Sequence, residues 1–210
     1  MLLCMGADAE LVIHILFGTL ALLSAVVAVS SAKGKKFHVL SGSTYFWSMT
    51  AIFLTAVPKP IISSNIFLFL VAIFSFYLAF AGMRFAKNRK GIPTKLDWIA
   101  VGLMVASGGG MLSLSLVYFV NNNSQYIVLL IFGLLAVLLG YGDYRSHKDK
   151  TAAGKQRIAN HLTNMLGGTI AVITAVLVVN VDIQPLWVWW VLPTAVITPV
   201  ILYWKRKAMS

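Results

Sequence analysis

"KKFHVLSGSTYFW", residues 35–47, carries the end of a cationic loop, the start of an apolar run and a histidine on the border between them. A helix needs about 20 apolar residues to cross a bilayer. One such run begins at His38 and ends near Val57. The same test of length picks out 11–31, 61–83, 98–120, 125–142, 158–180 and 186–204. The expectation is an all-α, polytopic membrane helix bundle with seven transmembrane helices in a single domain over 1–210.

The loops set its orientation. Lys33, Lys35 and Lys36 follow span one; Arg84, Lys87, Arg89, Lys90 and Lys95 follow span three. Arg145, Lys148, Lys150, Lys155 and Arg157 follow span five, and Lys205, Arg206 and Lys207 close the chain. The opposite side carries Asp8, Glu10, "PKP" (58–60), "NNNS" (121–124) and "VDIQP" (181–185), with Lys59 its single cation. Cytoplasmic loops are enriched in Lys and Arg. That rule puts the N-terminus outside and the C-terminus inside, and an even number of spans would destroy the alternation. Trp187, Trp189, Trp190 and Tyr126 mark the outer interface, and Trp98, Tyr144, Tyr203 and Trp204 the inner one. A multi-pass protein of the cell membrane, the bacterial inner membrane, is expected.

Composition agrees. The chain is 59% hydrophobic and 11% charged with a mean hydropathy of +0.85, against about 25% charged in soluble domains. Lipid is therefore the solvent. The net charge of +11 follows from orientation, so no nucleic-acid partner is expected; a homo-oligomer or a membrane partner is compatible. Cys4 reads as a free thiol, and "MLLCMGADAE" (1–10) lacks the positive n-region of a cleaved signal peptide.

Spans one and five share a pattern, "ILFGTLALL" (15–23) and "LIFGLLAVL" (130–138). The following span carries a histidine near its basic end in each case, His38 and His161. This suggests a 3+1+3 parallel repeat, with units 11–90 and 125–207 and span four, 98–120, as linker.

Polar residues inside spans are costly and mark function. Arg157, His161, Asn164 and Gly168 share one helix face, as do His38, Gly42, Tyr45 and Met49. Asp97 and Asp143 fall at the basic ends of their helices. His38, Asp97, Asp143, Arg157, His161 and Asn164 are expected to converge, with Tyr45 in support. His38 and His161 together could ligate haem b or a divalent metal. Each could instead bond a backbone carbonyl. Glu10 and His14 form a separate outer-side polar site, for which Asn180, Asp182 or Gln184 would supply a partner. His147, in "YRSHKDK" (144–150), reads as a solvated loop residue. "SGGG" (107–110) reads either as close packing or as a hinge at Gly108, Gly109 and Gly110.

"HILFG" (14–18) and "FHVLSGSTYFWSM" (37–49) resemble a family of bacterial integral membrane proteins of unknown function. Its first-span H-x-x-x-G and second-span H-x-x-x-G correspond to His14, Gly18, His38 and Gly42, and "RIANHLTNM" (157–165) looks like its later basic-then-histidine helix start. A looser likeness to b561-type membrane cytochromes implies histidine-ligated haem. That pattern expects four ligands in two pairs, and three span histidines leave room for one haem.

Whether the protein is an enzyme is open, since HExxH, Walker and Gly-x-Ser-x-Gly motifs do not occur in the sequence. The leading expectation is a haem- or metal-binding redox-type membrane protein using His38 and His161. The alternatives are a small-molecule or proton-coupled transporter, and a non-catalytic membrane subunit.

Overall fold

The computed structural model describes residues 2–210, with side chains at 9–58 and 61–210. Met1 and the side chains of Cys4, Asp8 and Lys59 thus lie outside the described residues. Eight helices and no strands make up the described chain: α1 (Leu2–Ser30), α2 (Lys36–Ala56), α3 (Pro58–Ile62), α4 (Ile66–Lys87), α5 (Lys95–Val120), α6 (Tyr126–Lys148), α7 (Gly154–Asn180) and α8 (Trp187–Met209). Six of them, all except α2 and α3, are long and apolar enough to cross a membrane. α2 falls outside that set because Ser41, Ser43, Thr44, Ser48 and Thr50 dilute its hydropathy. At 21 residues it still reaches about 31 Å, the thickness of a bilayer core.

The chain divides into two compact units, Met1–Ala72 and Ile73–Ser210. In the first, α1 packs along α2. The intervening turn is closed by Lys33 and by His38 of the "KKFHV" border, 35–39. The last carbonyls of a helix have no partner within it. Lys33 Nζ donates to Ala28 O at 3.0 Å and to Val29 O, and His38 Nδ1 donates to Ala28 O at 3.0 Å. Burial of the Lys33 ammonium pushes its pKa down from the ordinary lysine value.

In the second unit, α5 packs along α6 and α7 along α8. α5 runs helical without a break through 107–110, so the hinge expected at Gly108, Gly109 and Gly110 does not interrupt the helix. Gly108 is there for contact. A Cβ on it would lie 2.9 Å from Ala136 Cβ and 3.1 Å from Gly133 O. A Cβ on Gly133 would in turn lie 2.9 Å from Leu112 Cγ and 3.1 Å from Gly108 O. Absence of side chains on both helices lets the backbones touch.

α6 packs chiefly on α5, and α7 on α8.

Within the second unit the ends of α4, α6 and α8 lie with the starts of α5 and α7. Arg84 pairs with Asp97 across α4 and α5, Arg157 of α7 reaches Phe85 and Ala86 of α4, and Lys155 Nζ meets Ser210 O at 2.6 Å. The cations of this unit are thereby gathered at one end, called the basic end below.

Candidate functional site

Two buried carboxylates lie near the basic end of the second unit. Asp97, 3% exposed, is the third residue of α5 and closes its N-terminus. The Thr94 backbone N–H and Oγ1–H donate to its Oδ2 at 2.7 and 2.8 Å. Arg84 then grips both oxygens, Nε to Oδ1 at 2.6 Å and Nη2 to Oδ2 at 2.8 Å. Bidentate guanidinium pairing of this kind is strong and directional. The "TKLD" box, 94–97, was readable as a helix start; its Arg84 partner was not, because the same arginine also satisfies the loop-charge rule.

Asp143 is held differently. It is 6% exposed and sits on α6, five residues before the helix ends. Tyr77 Oη donates to Oδ2 at 2.8 Å from α4, and Asn164 Nδ2 donates to the same oxygen at 3.2 Å from α7. Both donors are neutral. The Lys205 ammonium on α8 acts on it only through space, and the ion pairs Arg84–Asp97 and Arg145–Asp149 do not include it. Asn164 Nδ2 also donates to Asn160 O at 3.1 Å. Asn160 Nδ2 donates to Ser146 Oγ at 3.0 Å, and Gln156 Nε2 donates to Asn160 Oδ1 at 2.7 Å. A polar track therefore runs from Asp143 to the first turn of α7.

The α7 face expected from spacing is real, and most of it serves α4. Arg157 Nη1 donates to Phe85 O at 3.0 Å and Ala86 O at 2.6 Å, carbonyls of the last turn of α4. His161 Nδ1 donates to Gly82 O at 2.8 Å. Gly82 permits that approach, since a Cβ there would lie 2.6 Å from Met165 Cγ and 3.0 Å from Met165 N. Asn164, one turn deeper, alone reaches Asp143. The expected convergence thus joins Asp143 with Asn164 directly and places Asp97, Arg157 and His161 around them in separate bonds.

His38 and Tyr45 belong to α2 in the first unit, where Tyr45 is buried. His38 and His161 each bond a backbone carbonyl through Nδ1. The carbonyl can only accept, so Nδ1 carries the hydrogen in both rings. No group of three or more His, Cys, Asp or Glu with the geometry of a metal site occurs among the described residues.

Two histidines differ from expectation. His14 finds its partner on α2, with Nδ1 2.9 Å from Thr55 Oγ1; Asn180, Asp182 and Gln184 belong to the other unit. Thr55 was overlooked because its hydroxyl reads as helix-internal, and it does also bond Ala51 O and Ile52 O. His147 is neither in a loop nor solvated. α6 continues to Lys148, and His147 is 6% exposed. Its ring stacks on Phe85 at 5.2 Å and meets Trp98 edge-on at 5.8 Å. The helix outlasts the apolar run because its last turns find partners, Asn160 for Ser146 and the two aromatic rings for His147. His147 Nδ1 has no hydrogen-bond partner among the described residues. Beside it is a cavity of about 10 Å³ bordered by Tyr77, Arg84, Asp97 and His147 among others, close to the space one water needs.

Fold and hydropathy together define an α-helical membrane protein. The chain matches no protein-family model, no curated protein and no solved structure, so the chemistry of the site carries the functional reading.

Proposed function

We propose that this is a proton-coupled membrane carrier and that Asp143 is the group that takes up and releases the proton. The supporting observation is the pairing of Asp143 with Tyr77 and Asn164 alone. An ionised carboxylate in a membrane-spanning helix is costly unless a counter-charge or several donors hold it. Two neutral donors soften that cost without locking the charge in place. Both can remain as neighbours when the carboxylate becomes an acid: a tyrosine hydroxyl accepts as well as donates, and an amide offers both functions. Intramembrane carboxylates of this kind form the proton relays of transporters. Tyr77, whose hydroxyl both accepts and donates, borders the small cavity beside His147, which gives the proton a way out.

In the same reading the protein crosses a bacterial inner membrane seven times, with the N-terminus outside and the C-terminus inside. α2 makes the seventh crossing because it returns along α1, and the sorted cations set the orientation.

The test uses the full-length protein in lipid vesicles with a trapped pH dye, challenged with gradients of candidate metabolites, drugs and monovalent cations. Wild type moves protons with at least one of them, and Asp143→Asn does not. Infrared difference spectra across a pH titration show a carboxylic-acid band that Asp143→Asn removes. A wild-type protein with neither the band nor any proton flux defeats the proposal. A Soret absorption lost on His38→Ala or His161→Ala would favour haem binding in its place.

A further inference from the structure

A separate feature lies on the outer surface of the second unit. α5 and α6 leave a groove of about 500 Å³ between them, lined by Trp98, Val101, Gly102, Val105, Val137, Tyr141 and Tyr144. That volume is in the range of small-molecule sites. Trp98, Tyr141 and Tyr144 are 38%, 55% and 38% exposed, so the groove opens outward. Its floor includes Gly102, where an added Cβ would meet nothing within 4 Å.

Both walls end in a cation at the basic end. On α5, Lys95, Trp98, Gly102 and Val105 follow i, i+3, i+7, i+10 spacing and share a face. On α6, Val137, Tyr141, Tyr144 and Lys148 follow i, i+4, i+7, i+11 spacing and do the same. Lys148 Nζ lies 5.8 Å from the centre of the Tyr144 ring, which keeps the ammonium at the mouth of the groove. Asp97, the acidic residue of the first turn of α5, is engaged by Arg84. Asp149 is next to Lys148 in sequence and lies 3.8 Å from Arg145. An apolar slot about 10 Å long, with aromatic walls and lysines at one end, has the chemistry of a phospholipid: chain in the slot, phosphate at the lysines. Basic pockets between membrane helices hold anionic headgroups in this manner.

We infer that the α5–α6 groove is a binding site for one anionic phospholipid, with an acyl chain along Gly102 and the phosphate met by Lys95 and Lys148. The inference rests on α5 and α6 lying in a bilayer and is independent of the role of Asp143.

Native mass spectrometry of the purified protein, titrated separately with phosphatidylglycerol and phosphatidylcholine, tests it. Wild type binds one phosphatidylglycerol more tightly than phosphatidylcholine. Lys95→Gln with Lys148→Gln removes that preference, by about five-fold for each lysine. Gly102→Trp fills the slot and loses both lipids, with helicity and melting temperature as in wild type; Gly102→Leu serves if the larger residue disturbs folding. Equal binding of the two lipids by wild type overturns the site, as does phosphatidylglycerol binding by the double variant at the wild-type level. A fall in mass from dimer to monomer in Gly102→Trp overturns it too, since a second copy would then be the occupant.

Discussion

Asp97 and Asp143 are buried to nearly the same degree, 3% and 6% exposed, on neighbouring helices of one unit. One is gripped by a bidentate arginine and a helix cap, the other by a tyrosine and an asparagine. The first arrangement stabilises a charge and fixes it. The second accommodates either form of the acid. The contrast teaches that burial alone does not identify a working carboxylate near a membrane surface. What surrounds it decides, and in the proposed reading the two surroundings give the aspartates opposite roles.

Exchanging each aspartate for asparagine breaks the comparison most sharply. Asp143→Asn keeps an acceptor for Tyr77, so stability falls by no more than about 1 kcal/mol, while proton flux in vesicles is lost entirely. Asp97→Asn does the reverse. It deprives the partly exposed Arg84 of its counter-charge and costs about 2 kcal/mol, read as a lowered melting temperature in detergent, while flux per folded molecule stays at the wild-type level. Loss of flux in both variants, with equal destabilisation, would erase the distinction.

Much of this frame was legible from residue types. Apolar runs gave the long helices, and the lysine and arginine clusters foretold that the cations of the second unit would gather at one end. The spacing of Arg157, His161 and Asn164 correctly placed a polar face on α7. Its individual partners were not legible, because they depend on which helices approach closely. Tyr77 is one aromatic residue within an apolar run and carries no local signal of its bond to Asp143. His147 was misread because hydropathy ends before the helix does; the helix ends where its last turn runs out of contacts. His38 and His161, the leading ligand candidates, both spend Nδ1 on the carbonyl of a neighbouring helix, the alternative that the sequence left open; which carbonyl, periodicity cannot foresee.

Smaller effects sharpen the comparison by separating packing from chemistry. Gly133→Leu forces a side chain into the α5–α6 contact and destabilises by about 1–3 kcal/mol, measured by thermal unfolding; the infrared band of Asp143 persists in the protein that remains folded. Thr55→Val removes the hydroxyl beside His14 and costs about 1 kcal/mol. Thr55 bonds none of the groups that hold Asp143, so the Asp143 band is unaltered.

The backbone contact at Gly108 and Gly133 has a mechanical consequence. A side chain added at either glycine would force α5 and α6 apart, so the closeness of the pair depends on both. Asp143 rides on α6, whereas Tyr77 and Asn164 are contributed by α4 and α7. In the proposed carrier, a working movement would shift α4 or α7 against α6. Each such shift would lengthen the bonds to Asp143, coupling the travel of the helices to the hold on the proton.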